Sequence, residues 1–329
     1  GGYDEAIERG REALALHREL RADDLDREAR LVGRLGSVEM RRERLDAAEA
    51  LIREAAAVFE RLYGEAHPTI AVGLMNLGGI ELQRNEPAKA VVLLERALAT
   101  LERFHGPDHP NVLGALNNLA TTLTSLERYA EARTHLERGL ARADEGGQRG
   151  ELYGALLYNL GQNAHYSNDL PSAERWYQRA IDFHAESHGA DHPRTAGARY
   201  ALGSVLLAAA RPREAAAALA AALPVHEQHP GHGGWDLAYT RADLGRAHTD
   251  LGDHRRALPL LEAALPPLAE TGDTLQVGLT TFALARALWA TGQRRRALGH
   301  AAATAAMWTD PQFAAELAKL TTWRHGKQP

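Results

Sequence analysis

Three series of residues recur along this 329-residue chain at a nearly constant interval. A leucine followed by glycine or alanine stands at Leu35, Leu77, Leu119, Leu160, Leu202, Leu244 and Leu284, in steps of 42, 42, 41, 42, 42 and 40 residues. An alanine series, Ala6, Ala48, Ala90, Ala132, Ala173, Ala215, Ala257 and Ala297, runs in step with it. So does a glycine series at Gly64, Gly106, Gly147, Gly189, Gly231 and Gly272. A fixed period of this length points to a repeat architecture, in which each unit buries its apolar face against its neighbours.

Within one period the apolar spacing is helical twice over. Leu113, Leu116, Leu119, Leu123 and Leu126 share one face of a first helix. Ala132, Leu136, Leu140 and Ala143 share one face of a second, which ends at Gly146-Gly147. Pro110 suits the first helical turn, where its missing N–H leaves nothing unbonded. The small residue after each ladder leucine lets the two axes approach closely.

The histidines recur with the turns. Gly-x-x-His-Pro appears as "GEAHP" (64–68), "GPDHP" (106–110) and "GADHP" (189–193). Recurrence in equivalent turns favours a structural role over catalysis. The pair His229-Pro230 falls out of register and belongs to an irregular connection. "HAESHGADH" places His184 and His188 on one helix face, and His226, His229 and His232 follow in the next connection. A metal site shared between them lacks a completing carboxylate pattern, so no metal and no cofactor is expected.

Composition excludes several function classes. The chain has no cysteine, so disulfides and thiolate chemistry are absent. Its net charge is −5, which gives no drive toward nucleic acid or an anionic membrane. The apolar runs are too short to span a bilayer, no signal segment opens the chain, and a cytoplasmic setting is expected. No nucleotide-binding glycine motif and no G-x-S-x-G is present. The chain begins with Gly1, and residues 1–23 match only a second helix, which suggests a fragment of a longer array.

The segments "MNLG" (75–78), "NNLA" (117–120) and "YNLG" (158–161), together with "GPDHP", resemble tetratricopeptide repeats. The likeness is to the long-repeat kind of kinesin light chains. It implies an all-α, right-handed superhelical solenoid of antiparallel helix pairs. Seven pairs are expected to begin near residues 24, 68, 110, 149, 193, 234 and 274, followed by a closing helix and tail over 311–329. In the closing helix, Phe313, Leu317 and Leu320 should cover the last pair. Arg199 and Arg241 depart from the apolar pattern, and Pro259, Pro266 and Pro267 are expected to kink or shorten a second helix.

The resemblance also implies that the first helices line a groove in which an extended peptide lies. The groove row takes the residue before each ladder leucine and those three and seven further on. It includes Arg34, Ser37 and Arg41; Asn76 and Gln83; Asn118 and Thr121; Asn159, Gln162 and Tyr166; then Ala201, Ser204 and Ala208, and Asp243, Arg246 and Asp250. In the family, asparagines at this place hold peptide backbone, and the implication attaches to Asn76, Asn118 and Asn159. An alternative is that they bridge neighbouring helices. Arg30, Arg34 and Arg41 make one end basic, suited to an acidic peptide. Tyr158, Tyr166 and Tyr200 offer flat apolar contact, Gly197, Ala201 and Ala208 leave room for a bulky side chain, and Asp243, Arg246 and Asp250 could pair internally.

The expectation is a non-catalytic scaffold that binds a protein or peptide partner, with oligomeric state left open. The alternatives are an oligomerisation module or a regulatory, substrate-recruiting arm of a larger signalling enzyme. For the enzyme arm, the Ala/Arg-rich repeats resemble the C-terminal regions of bacterial, myxobacterial-type serine/threonine protein kinases, and a signalling ATPase is the other candidate parent.

Overall fold

The computed structural model describes residues 2–21, 23–64, 67–147, 149–230 and 235–326. The helices are α1 (Gly2–Leu20), α2 (Leu25–Arg41), α3 (Leu45–Tyr63), α4 (Pro68–Gln83), α5 (Pro87–His105), α6 (Pro110–Ser125), α7 (Tyr129–Glu145) and α8 (Glu151–Tyr166). They continue as α9 (Leu170–His188), α10 (Pro193–Ala208), α11 (Pro212–Gln228), α12 (Trp235–Asp250), α13 (His254–Glu270), α14 (Thr274–Ala290), α15 (Arg294–Met307) and α16 (Ala314–His325). No strand occurs among the described residues. The chain is all-α, built from antiparallel helix pairs, and forms two compact units, Gly1–Ser167 and Asn168–Pro329.

The small-residue ladder sets the spacing inside each pair. A Cβ on Gly203 would lie 2.5 Å from Leu219, one on Gly245 2.6 Å from Leu261, and one on Gly36 2.8 Å from Ile52. Only hydrogen fits at these crossings. The partner alanines Ala48, Ala90, Ala132, Ala215, Ala257 and Ala297 are all fully buried. Ala6 is exposed, because no first helix covers that face of α1.

Turns between pairs and turns within pairs end their helices differently. Gly64, Gly106 and Gly189 close α3, α5 and α9 with φ of 79°, 80° and 100°. Within pairs, a left-handed residue follows the first helix at Glu43, Asn85, Glu127, Asn168, Ala210, Gly252 and Gly292. The next N–H then reaches back to the final turn, as in Arg44 to the Glu39 carbonyl at 3.0 Å and Arg211 to Leu206 at 2.8 Å. Five of these seven left-handed residues are not glycine. Ion pairs link successive repeats within each unit, with Arg84 to Asp46 and Glu49, Arg211 to Glu174, and Arg286 to Asp250, all at 2.6 Å. At such exposed positions each contributes at most about 1 kcal/mol.

Two departures from the apolar pattern resolve simply. Arg199 turns out of the core to donate to the Ala190 carbonyl at 2.7 Å, and Arg241 pairs with Glu227 at 3.2 Å. The prolines of α13 do not shorten it: the helix runs 17 residues, as α11 does. Pro259 and Pro266 are exposed, so water can satisfy the freed carbonyls, while buried Ala257, Leu261, Ala264 and Leu268 hold the helix in place. At the far end, Leu320 is buried, with Phe313, Leu317 and Trp323 packed beside it. Trp308 completes this cluster, fully buried against Gly278. Gly231 and Gly234, His232 and the tail 327–329 lie outside the described residues.

Two buried imidazoles make the second unit acid-sensitive. His184 and His226 are 4% and 3% exposed. Burial holds both below the usual imidazole value, and at His184 the neighbouring His188 and His192 add to the effect. His226 keeps one partner, the Thr240 hydroxyl at 2.7 Å. A depressed folded value means that the unfolded chain takes up protons first. Stability is therefore full above about pH 6.5 and falls as pH drops toward the depressed values. Thermal midpoints of the wild type should fall between pH 7.5 and 5.5. His226→Gln, which does not titrate there, should show a shallower fall.

Candidate functional site

Gly33 on α2 and Gly73 on α4 open a gap between these neighbouring first helices, and α3 forms its floor. The resulting pocket is about 200 Å3 and open to solvent. Ile52, Ala55, Ala56 and Phe59 supply the apolar base, and Arg34, Ser37 and Asn76 stand around it. A Cβ on Gly73 would meet nothing nearer than 3.9 Å, so the pocket exists because that side chain is missing. In the second unit Ala201 is buried, while a Cβ on Gly197 would meet nothing within 4 Å and Ala208 is exposed. Sequence reasoning missed Gly33 and Gly73: they match no ladder, and their effect depends on which way each helix is turned.

The three arginines of this end differ in state. Arg30 is bound bidentately to Asp26, at 2.7 and 3.1 Å, and lies over the Phe59 ring. Tyr63 also donates to Asp26 at 2.8 Å. The Arg30 hydrogen bond holds the Asp26 carboxyl below its ordinary value. Arg30 is thus neutralised in place. Arg34 and Arg41 are exposed and make no ion pair or hydrogen bond among the described residues, so the free positive charge is theirs.

The asparagine row divides as well. Asn76 donates to the Ser37 hydroxyl on α2 at 3.3 Å. Asn159 on α8 donates to the Asn117 side chain on α6 at 2.8 Å. Both therefore bridge neighbouring first helices. Asn118 is half-buried, and its amide has no partner among the described residues. Asn163, which sequence reasoning did not single out, donates to Thr124 at 3.1 Å and is 3% exposed. Thr121 donates to its own helix, to the Asn117 and Asn118 carbonyls. Gln83 is exposed and Gln162 half-buried, while Tyr166, 58% exposed, ends α8.

In the second unit Ala201 and Asp243 are buried, while Ala208 and Asp250 are exposed. Tyr200 packs on Ala196, Ala222 and Val225. Asp243 is 1% exposed, accepts from Arg246 and Gln276 at 2.7 Å each, and is internally paired. Asp250 pairs with Arg286. Within the first unit, the residues brought to one place are Arg34, Ser37 and Asn76, with Asn118 on the next first helix.

Among the described residues, no three histidine or carboxylate groups converge as metal ligands, and no helix is long and apolar enough to cross a membrane. The histidines of the recurring turns are helix caps instead. The Nδ1 atoms of His67, His109 and His192 accept the N–H of Thr69, Asn111 and Arg194 at 3.3, 3.2 and 3.2 Å.

The class defined by this fold is a helical repeat array of antiparallel helix pairs. The sequence profile of the tetratricopeptide repeat family matches residues 27–103, 69–145 and 150–228, and a second profile of that family matches 237–266. The chain belongs to the tetratricopeptide repeat family. No curated protein sequence matches it.

Solved structures share the fold at low identity. BtubC (BKLC) from P. vanneervenii aligns with TM-score 0.61 and 19% identity, over 70% of this chain and 93% of that one. A Rap protein complexed with Competence and Sporulation Factor aligns with TM-score 0.54 and 13% identity, over 98% and 100%. A signal transduction ATPase with a tetratricopeptide repeat sensor, from Pyrococcus horikoshii, aligns with TM-score 0.68 and 15% identity, over 94% of this chain and 45% of that one.

Proposed function

We propose that this chain is a non-catalytic protein-interaction scaffold whose first unit captures an extended, acidic peptide segment. The observation that carries the reading is the free Arg34 guanidinium at the rim of an apolar pocket, beside an asparagine already held in place by Ser37. A carboxylate there gains a charge-assisted hydrogen bond. One amide further along, Asn118 has both donors and its acceptor uncommitted, which suits peptide N–H and C=O groups of any sequence. The Rap protein complexed with Competence and Sporulation Factor supports partner capture on this fold.

The test is peptide-display selection against the immobilised chain, followed by titration of an enriched peptide. Acidic sequences should be enriched. Arg34→Glu should weaken binding roughly 10- to 100-fold, and Asn118→Ala roughly fivefold, with thermal midpoints unchanged. Enrichment of basic sequences, or variants that lose stability and keep affinity, would sink the reading.

The likeness to the sensor of a signalling ATPase favours a second reading, in which the array is the regulatory arm of a larger enzyme. The gene upstream of Gly1 decides it: a P-loop marks an ATPase parent, and H-R-D with D-F-G marks a kinase.

A further inference from the structure

Where a side chain caps a first helix among the described residues, it is of two chemical kinds, and α8, which begins after Gly150, has no such cap. Asp24 caps α2 and Asp273 caps α14, their carboxylates accepting the N–H of Arg27 and Gln276 at 3.1 and 3.0 Å. By contrast, α4, α6 and α10 are capped by the imidazoles of His67, His109 and His192. A carboxylate accepts a hydrogen bond throughout the range in which histidine titrates. An imidazole accepts through Nδ1 only while that nitrogen is unprotonated. The protonated ring has no lone pair left for that N–H and places a positive charge at the positive end of the helix; at His67 the new N–H would turn to the Thr69 hydroxyl, which also contacts Nδ1.

Each of the three rings packs on other rings. His109 is stacked on His105 from the end of α5, with centroids 3.8 Å apart and planes within 8°. His192 lies 4.6 Å from His188 at the end of α9, which itself lies 5.8 Å from His184. His67 is stacked on Tyr63 from α3 at 4.4 Å and meets Phe104 from α5 at 5.5 Å. Burial, then His109, then His67 hold His105 below the usual imidazole value. The nearby acids offer little relief. Asp108, beside His109, pairs with Arg142 from α7 at 3.4 Å. Asp26 on α2, which faces His67, is bound by Arg30 and Tyr63. Around His192 the turn holds Asp191, with Arg194 next on α10 and Arg199 bonded to the Ala190 carbonyl.

We infer that the three His-Pro turns form an acid-responsive latch: mild acidification uncaps α4, α6 and α10 and leaves α2 and α14 capped. The inference concerns the helices themselves and stands whatever the groove binds. Two of the three, α4 and α6, carry Asn76 and Asn118, so the latch acts on the helices that line the candidate site.

The experiment is residue-resolved amide exchange by NMR on the whole chain at pH 7.5 and 5.5, corrected for the intrinsic rate at each pH. Protection at Thr69, Asn111 and Arg194 should fall roughly fivefold on acidification, the factor expected for loss of one cap. Protection at Arg27 and Gln276 in the same sample should stay constant, which separates the latch from general acid destabilisation. In His109→Asp, which keeps an acceptor that does not titrate in this range, the response at Asn111 should vanish while that at Arg194 remains. Equal responses at Asn111 and Gln276 in the wild type would overturn the inference. So would an unchanged response at Asn111 in His109→Asp. The wild-type comparison needs no variant, so the test survives if a substitution folds poorly.

Discussion

Replacing Gly278 by alanine is expected to destabilise the second unit by about 3 kcal/mol, the order found when a large aromatic loses its seat in a core. The added methyl would lie 2.3 Å from Nε1 and 2.5 Å from Cε2 of Trp308. Trp308 is fully buried among Ala285, Ala301 and Leu320, so its ring cannot swing aside without opening the cluster under α16. Alanine is the better helix former by about 1 kcal/mol, and that gain opposes the clash without cancelling it. In a unit of this size the net loss should lower the thermal midpoint by roughly 10 °C. Gly299→Ala on α15 is the matched control: its new Cβ would meet nothing within 4 Å, and the change should be neutral or slightly stabilising. Because repeat arrays share stability between neighbours, amide exchange should rise first in α15 and α16. A midpoint equal to wild type in Gly278→Ala would show that the ring has room the structure does not give it.

Gly73→Leu should have opposite effects on folding and on binding. The new Cβ would meet Ala56 and Ile52 at 3.9 Å, an ordinary contact, and the rest of the side chain would enter the pocket between α2 and α4. Removing glycine from a helix interior favours the fold by up to about 1 kcal/mol. The thermal midpoint should therefore hold or rise. Affinity for a peptide selected on the wild type should fall on the order of 100-fold, because the leucine occupies the space the ligand needs. Isothermal titration alongside thermal melts reads both quantities on one preparation. Loss of stability with affinity intact would move the binding surface away from this pocket.

The helix pairs and their period were legible in the sequence, because each pair repeats one solution to one packing problem. Leu244-Gly245 and Ala257 recur where they do because a closely packed crossing tolerates few other residues. The glycine that ends α5 and the proline that begins α6 were legible for the same local reason. The cap between them was not. Recurrence marks His109 as structural without saying which bond it makes, and the structure supplies that bond, its Nδ1 lying 3.2 Å from the Asn111 N–H. The left-handed residues within the pairs were also hidden, since Glu43, Asn85 and Ala210 share a backbone angle and no side-chain type.

For the candidate site, spacing along the sequence determined which residues share a face of each first helix, and the family resemblance pointed to the face proposed for binding. Only the tertiary structure decided which of those residues are available. Asn76, Asn118 and Asn159 occupy equivalent places in the repeat, yet two are bonded to a neighbouring helix and one is not. Arg30 and Arg34 lie one helical turn apart, yet one is held by Asp26 and the other is free. Periodicity places a side chain on a face, because that follows from its position along its own helix. Whether its hydrogen bonds and charge are already committed depends on the next helix, which local spacing does not encode.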